Sequence, residues 1–414
     1  MSTHAPTQSS YAAVLRLPHA RRTFASALTA RLSYGTVSLA VMLSVTRATG
    51  SYAVSGAVMS LFGAATVFLM PLRAALIDQY GARRALLPMS VLYGALLCVL
   101  AALTWRPGAP PAAIAIAAAL AGACAPPLGP TMRAVWAELA PEPGMLARAY
   151  SLDGVAEELL YVSGPALVGA VMGFAPPASA ILLSALLIVG GTCVFVTSPV
   201  LPGPRAAAPG KTRGALCGLL APVVVAAGAG LALSGVDLLA MAFATQRSYD
   251  TAVVPWVLGA LSAGSAVGGL ANGAVAWRAP ARVRLCGFAV ALGLVIAGAG
   301  LAPGLWPLAG VMALAGAFIA PTLTTAYLVV DEAAPEGART QAGAWVNAGV
   351  NAGSSAGAVV TGLLIGRVPL GVCFLLAGGA AVLPAVATYR RRRVRAARVG
   401  AGVAPLEEEP CRPR

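Results

Sequence analysis

Stretches of about twenty apolar residues alternate along the chain with short segments rich in Gly, Pro and Arg. A helix of about 20 residues, rising ~1.5 Å per residue, crosses a hydrocarbon core ~30 Å thick. The pattern predicts spans over 23–46, 51–77, 84–104, 111–137, 149–173, 177–198, 216–246, 251–277, 283–302, 305–330, 342–365 and 369–389. In lipid every backbone polar group must be satisfied within the chain, so each run is expected to be helical. Tyr11–Arg22 reads as a short interfacial segment ahead of the first span. Residues 1–15 are mainly polar and carry no apolar core followed by a cleavage site, so no cleaved signal peptide is expected.

Composition agrees with this pattern. The 414 residues are 58% hydrophobic and only 10% charged, where a soluble domain carries roughly 25%. The expected fold class is an all-α integral membrane protein with twelve transmembrane helices. The net charge of +14 does not point to nucleic acid, because the basic residues lie in loops and tails and not on a continuous face. Their distribution sets orientation instead. With the N-terminus inside, 21 Lys and Arg fall on the cytoplasmic side and 4 fall outside: Arg47, Arg106, Arg247 and Arg367. Basic loops stay in the cytoplasm, so a multi-pass cell-membrane protein with both termini cytoplasmic is expected. The three remaining arginines, Arg31, Arg73 and Arg133, sit inside spans.

The Pro/Gly-rich basic stretch 199–213 divides the chain. It is read as a cytoplasmic linker between six-helix halves at 1–198 and 214–389, with a cytoplasmic tail at 390–414. The halves repeat. At an offset of 194, Asp78 falls on Asn272 and Pro141 on Pro335. At 193, Gly164 falls on Gly357 and Glu158 on Asn351, and at 195 Pro126 falls on Pro321. Such a parallel repeat places a substrate site between the halves near the midplane.

The turn at Leu76–Leu86 joins the second and third runs. Asp78 ends one run, Gly81 lets the chain reverse, and Arg83 and Arg84 begin the next. An aspartate at a helix C-terminus faces the negative end of the dipole, so it needs a cation or another helix's N-terminus nearby. The turn resembles the signature loop of the major facilitator superfamily, matching at Asp78, Gly81, Arg83 and Arg84. Ala74 and Gln79 stand where that pattern has Gly and a basic residue. The resemblance implies a gating latch between the halves, completed by Glu138 meeting Arg83 or Arg84, with Arg148 at the start of the fifth helix. Pro141-Glu142 and Pro335-Glu336 are read as paired cytoplasmic turns. A purely topogenic basic loop is the alternative.

Ionisable groups inside spans are costly and are functional candidates. Asp153, Glu157 and Glu158 lie on the fifth helix, and Arg31 lies at similar depth on the first. Arg31 is expected to pair with Glu157 or Glu158. Three neighbouring acids cannot all ionise cheaply in a low dielectric, so at least one is expected to hold its proton. The group is therefore either a proton carrier or a static helix tie. Asp237, the sole charge deep in the seventh helix, is a candidate to bind a cation or shuttle a proton. Gly164-Pro165 with Gly169 resembles the Gly-Pro motif of the family's proton-coupled drug exporters. Leu167 and Val168 stand where that motif has a Gly-Gly pair, and close helix approach is the other reading.

Pro126, Pro127 and Pro130 are expected to break the fourth helix, since proline lacks the N–H that a helix needs. Tyr34, Tyr161, Tyr327, Trp345, Asn347 and Asn351 are candidates to contact a solute, and Met241 and Phe243 to line the cavity beside them. The seven cysteines form no Cys-x-x-Cys pair, the only histidines are His4 and His19, and no Walker sequence occurs. Neither metal nor cofactor is therefore expected, ATP is not the expected energy source, and no enzymatic site is read. The expected function is movement of a small solute by alternating access as a monomer, with proton-coupled efflux favoured. Proton-coupled or facilitated nutrient uptake, and a non-transporting membrane sensor on the same fold, are the alternatives.

Overall fold

The computed structural model describes residues 10–140, 142–204, 212–250, 253–335 and 337–400. The middle of the expected linker, Pro141, Glu336 and the tail beyond residue 400 lie outside them. Fifteen helices follow in order: α1 Tyr11–Arg16, α2 Ala20–Thr49, α3 Tyr52–Phe68, α4 Met70–Tyr80, α5 Ala82–Trp105, α6 Pro111–Cys124, α7 Leu128–Leu139, α8 Pro143–Met172, α9 Pro177–Val196, α10 Thr212–Gln246, α11 Val254–Ala274, α12 Ala281–Ala299, α13 Leu305–Ala333, α14 Arg339–Leu364 and α15 Leu370–Gly400. Among the described residues ten spans are long and apolar enough to cross a membrane, α6 and α7 together forming one of them. The bent pair α3–α4 makes an eleventh. α14 is the twelfth. Asn347, Asn351, Ser354 and Ser355 make it too polar for a lipid-facing helix, though its 26 residues suffice in length. An even number of crossings puts the start of α2 and the end of α15 on one side, called here the terminal face.

Two predicted spans are broken. The run expected over 51–77 bends by 40° between α3 and α4, where Pro71 follows Met70 and cannot donate to Val67. The fourth span breaks between α6 and α7, as its three prolines require. Pro126 leaves the Gly122 carbonyl without its usual partner, and Pro130 does the same to the Pro126 carbonyl. Side chains take over these acceptors. Arg73 on α4 donates through Nη1 to Gly122 O and through Nη2 to Thr66 O at 2.6 Å, joining both helix breaks. The Tyr34 hydroxyl donates to Pro126 O. Arg73 is 5% exposed. Sequence reading placed it in a span but gave it no task.

The repeat expected from the sequence recurs in the packing. A Cβ on Gly164 of α8 would sit 2.3 Å from the backbone of Gly35 on α2. A Cβ on Gly357 of α14 would sit 2.3 Å from Leu231 O on α10. Helices five and one, and eleven and seven, approach at the same small residues, as membrane helices do where backbones touch. At Gly164 this close-approach reading accounts for the glycine.

The halves share a core on one side only. One apolar cluster joins α2–α9 to the terminal-face ends of α10, α12, α13 and α14, including Leu219, Leu285, Val330 and Ala342. A second cluster holds residues of the second half alone, among them Val236, Phe243, Val257, Ile296 and Phe374. Phe243, expected at the cavity, is 2% exposed inside this second core. The halves therefore pack together at the terminal face and keep separate cores toward the other face.

Replacing Arg73 with Leu removes two charge-assisted hydrogen bonds to backbone carbonyls, each worth about 1.5–3 kcal/mol. The unfolding temperature in detergent should fall clearly. Arg73→Lys should recover only part of the loss, because a single ammonium lacks the planar fork that spans both acceptors.

Candidate functional site

At mid-depth, four charged side chains from three helices form one network. Arg31 of α2 donates through Nη1 to Asp153 Oδ1 at 2.7 Å, and its Nη2 lies 2.8 Å from Glu157 Oε2. Arg133 of α7 donates through Nη2 to the same Glu157 oxygen at 2.6 Å, and its Nε lies 3.4 Å from Asp153 Oδ2. Two cations and two carboxylates alternate around a closed ring with no net charge. Asp153 is wholly buried, while the Glu157 side chain keeps 26% of its exposure. Arg31 thus pairs with Glu157 as expected, and with Asp153 as well, but not with Glu158. The unexpected member is Arg133. Its signal was a second arginine at similar depth, on a helix whose break turns the following residues inward.

The network reaches the second half. The Arg133 guanidinium lies 3.8 Å from the centre of the Tyr327 ring on α13. The Tyr327 hydroxyl donates to Asn347 Oδ1 on α14. Asn351 Nδ2 turns to its own helix, donating to Asn347 O at 2.8 Å. Tyr161 and Trp345 are 57% and 39% exposed near these residues in sequence. Tyr34 is occupied in bracing the break in the fourth span. Asp237 is exposed, with no ion pair among the described residues, and Met241 is exposed one turn on along α10.

Glu158 faces another way. The Ser265 hydroxyl of α11 donates to its Oε1 across the two halves, and its Oε2 is buried without a hydrogen-bond partner. Asp153 and Glu157 are each matched by guanidinium groups, so a proton on either costs an ion pair. Glu158 has no such debt. Of the three acids expected to compete, two are neutralised by arginines and the third is hydrogen-bonded to the opposite half.

At the terminal face the halves are tied by polar contacts to backbone. Thr340 N–H and Gln341 N–H, in the first turn of α14, donate to Asp78 Oδ1 and Oδ2 at 3.3 and 2.8 Å. The first N–H groups of a helix lack internal acceptors and carry its positive dipole end, so Asp78 caps a helix of the opposite half. The second of the two partners expected for this aspartate is the one found. Gly81, at φ +84°, is both the end of α4 and the start of α5, and a Cβ there would meet Pro204 at 3.0 Å. Arg83 donates to Ser198 O at 2.8 Å. Through this bond Arg83 holds the chain leaving α9. Glu138 lines a small cleft with Asp78, Thr340 and Arg339. Arg84 is exposed.

Arg148 donates to Ala274 O at 3.4 Å, and the Tyr11 hydroxyl of α1 donates to Leu270 O, both on α11. Burial pushes the Tyr11 hydroxyl above its usual range, with Arg148 acting the other way, so it stays a donor.

The neutral ring makes a stability prediction. Asp153→Asn leaves one guanidinium uncompensated in a buried site and should cost about 3–5 kcal/mol, read as a lower unfolding temperature in detergent. Arg31→Met with Asp153→Leu keeps the ring balanced, and should cost much less than the single change.

Comparisons with known proteins agree with this geometry. The structure is similar to a crystal structure of a bacterial homologue of the iron transporter ferroportin in an outward-facing state, with TM-score 0.73 and 15% identity, covering 88% of this chain and 97% of that one. It is also similar to the E. coli fucose:proton symporter, FucP, with TM-score 0.64 and 13% identity, covering 87% and 97%. At these identities the likeness shows the fold alone. A comparison with curated protein sequences finds no match. A family model described as Major Facilitator Superfamily matches residues 23–290, a stretch that holds the charge ring, Asp78 with its turn, and Glu158 with Ser265. That match spans well over half of a chain whose twelve spans form two packed halves, and the protein belongs to the Major Facilitator Superfamily.

Proposed function

We propose that this protein exports a small solute from the cytoplasm in exchange for inward-moving protons, by alternating access between its two halves. Secondary transport follows from the family; direction and coupling are our reading. The observation that carries the reading is Glu158, an acid at mid-depth that joins the halves through Ser265 and has no cation beside it. Taking up or releasing a proton there changes the bond between the halves without breaking an ion pair. A ligand shifts a conformational balance only by its differential affinity for the two states. Glu158 is a group for which the proton has such a difference. Asp237, without an ion pair among the described residues, is the second acid in this role.

The ring of Arg31, Asp153, Arg133 and Glu157 positions the first, fourth and fifth helices, and Glu157 presents one oxygen to the cavity. Asp78 with Gly81, Arg83, Arg84, Glu138 and Arg148 forms the gate that holds the cytoplasmic side shut. Tyr161, Tyr327, Trp345, Asn347 and Asn351 contact the solute, and Tyr34 shapes their surroundings through Pro126. A potential of 100 mV moves one elementary charge with about 2.3 kcal/mol, enough for about a fiftyfold gradient. One proton per solute therefore suffices for useful export. That one structural neighbour is a proton symporter by its printed name lends weight to the proton and none to direction.

Expression in a bacterium lacking its main exporters, tested against a broad panel of toxic compounds, should give resistance to at least one. Purified protein in liposomes should then accumulate that compound when a proton gradient is imposed. Glu158→Gln, at matched membrane levels, should lose gradient-driven accumulation yet still exchange solute for solute. Gradient-driven accumulation intact in this variant would remove Glu158 from coupling.

Asp78→Asn should slow transport and leave solute affinity largely unchanged. A neutral amide still accepts from one N–H, but it loses the charge that favours a helix N-terminus, worth about 0.3–1 kcal/mol at exposed sites and more in buried ones. An equal fall in affinity would count against the latch.

A further inference from the structure

One corner of the charge ring is unfinished. Gly129 is the second residue of α7, next to the broken end of the fourth span. A Cβ built on it would lie 3.5 Å from Arg133 Nη1, 3.9 Å from Asn347 Nδ2 and 3.9 Å from Glu157 Oε1. Three polar side chains from α7, α14 and α8, drawn from both halves, converge on the space that the missing side chain leaves.

Each of them has capacity to spare there. Arg133 is 6% exposed, and its Nη1 is buried with no hydrogen-bond partner, since Nε and Nη2 serve the ring. Leaving such a donor unmade is costly. Asn347 Oδ1 is taken by Tyr327, which fixes the amide so that Nδ2 is the end left over. The Glu157 contacts to both arginines use Oε2, and Oε1 remains an acceptor. The space therefore presents two donors and one acceptor. Gly129 also lies in the first turn of α7, where backbone N–H groups lack internal acceptors.

We propose that the space beside Gly129 is a substrate subsite for a neutral group that both donates and accepts hydrogen bonds, a hydroxyl or a primary carboxamide. Its oxygen accepts from Arg133 Nη1 and Asn347 Nδ2, and its O–H or N–H donates to Glu157 Oε1. The charges of the ring cancel, so nothing in it favours a net charge on the ligand. A carboxylate would face Glu157 Oε1, and an ammonium would face the Arg133 guanidinium. Because Asn347 belongs to the second half and Arg133 and Glu157 to the first, an occupied subsite ties the halves together at mid-depth. Its role in transport rests on the function proposed above, but the binding chemistry does not.

The test uses the purified full chain in detergent and reads unfolding temperature against xylitol and propionamide, with propionate and propylammonium as charged counterparts. Xylitol or propionamide should stabilise the wild type in a saturable way, and the charged pair should not. Gly129→Ala is the decisive variant. Its methyl would meet its neighbours at ordinary contact distance, so the protein should fold with an unchanged unfolding temperature while affinity falls about tenfold or more. Asn347→Ala should weaken binding in the same direction. Stabilisation by a charged probe alone, no response to either neutral probe, or wild-type affinity in Gly129→Ala would each overturn the subsite. A neutral probe that binds through Gly129 but is not moved in liposomes would uphold the subsite and count against the transport reading.

Discussion

A charge buried among helices in a membrane must find an opposite charge or a set of unpaired backbone dipoles, because no water is there to solvate it. This requirement organises the first half of the protein. Arg31 and Arg133 answer it with Asp153 and Glu157. Arg73 answers it with carbonyls beside two helix breaks. Asp78 answers it with the N–H groups that open α14. Proline appears in this scheme as a supplier: by withholding an N–H it leaves a carbonyl that a buried cation or hydroxyl then needs.

The three solutions differ in what moving the halves would do to them. The Arg31–Asp153 pairing and the Arg73 contacts lie within the first half, so rocking leaves them intact. The Asp78 cap, the Arg148 and Tyr11 contacts to α11 and the Glu158–Ser265 bond all run between halves. Opening the terminal face exposes the Asp78 carboxylate and the α14 N-terminus to water together, and water can solvate both. Breaking the Glu158–Ser265 bond at mid-depth has no such compensation unless solvent or a proton arrives. A latch at Asp78, as proposed, would thus be cheap to open where water reaches it, and the mid-depth contact would be the more selective barrier.

Much of the fold is legible in the sequence because hydrocarbon imposes length and polarity on every span. The apolar runs, the offset between Gly164 and Gly357, and the triple-proline break all reappear as packing or geometry. Arg31 meeting Glu157 is legible too, since both lie about one depth from the same face. Arg133 and Arg73 are not legible as to their tasks. Their partners sit on helices whose turn about the axis depends on the breaks, and hydropathy carries no such angle. The role of Gly129 is invisible in the sequence for a related reason. A glycine near prolines reads as part of the break, and only the position of the absent Cβ places it among three polar groups.

The two halves share an architecture but divide the chemistry. Pro126 has its counterpart in Pro321, yet α13 runs unbroken from Leu305 to Ala333, because a single proline removes one donor where three remove a turn. Glu158 corresponds to Asn351, and Asp78 to Asn272, whose side-chain amide is buried without a partner. At both positions the first half carries a carboxylate and the second a neutral amide, isosteric for Asp78 and Asn272 and one methylene shorter for Glu158 and Asn351. At these two positions a proton can change the charge of the first half, while the second offers amides of constant charge. If Glu158 titrates as proposed, the cost of that step in low dielectric is met beside helices already braced by their own ion pairs, and the amide at the matching position of the other half stays neutral while it happens.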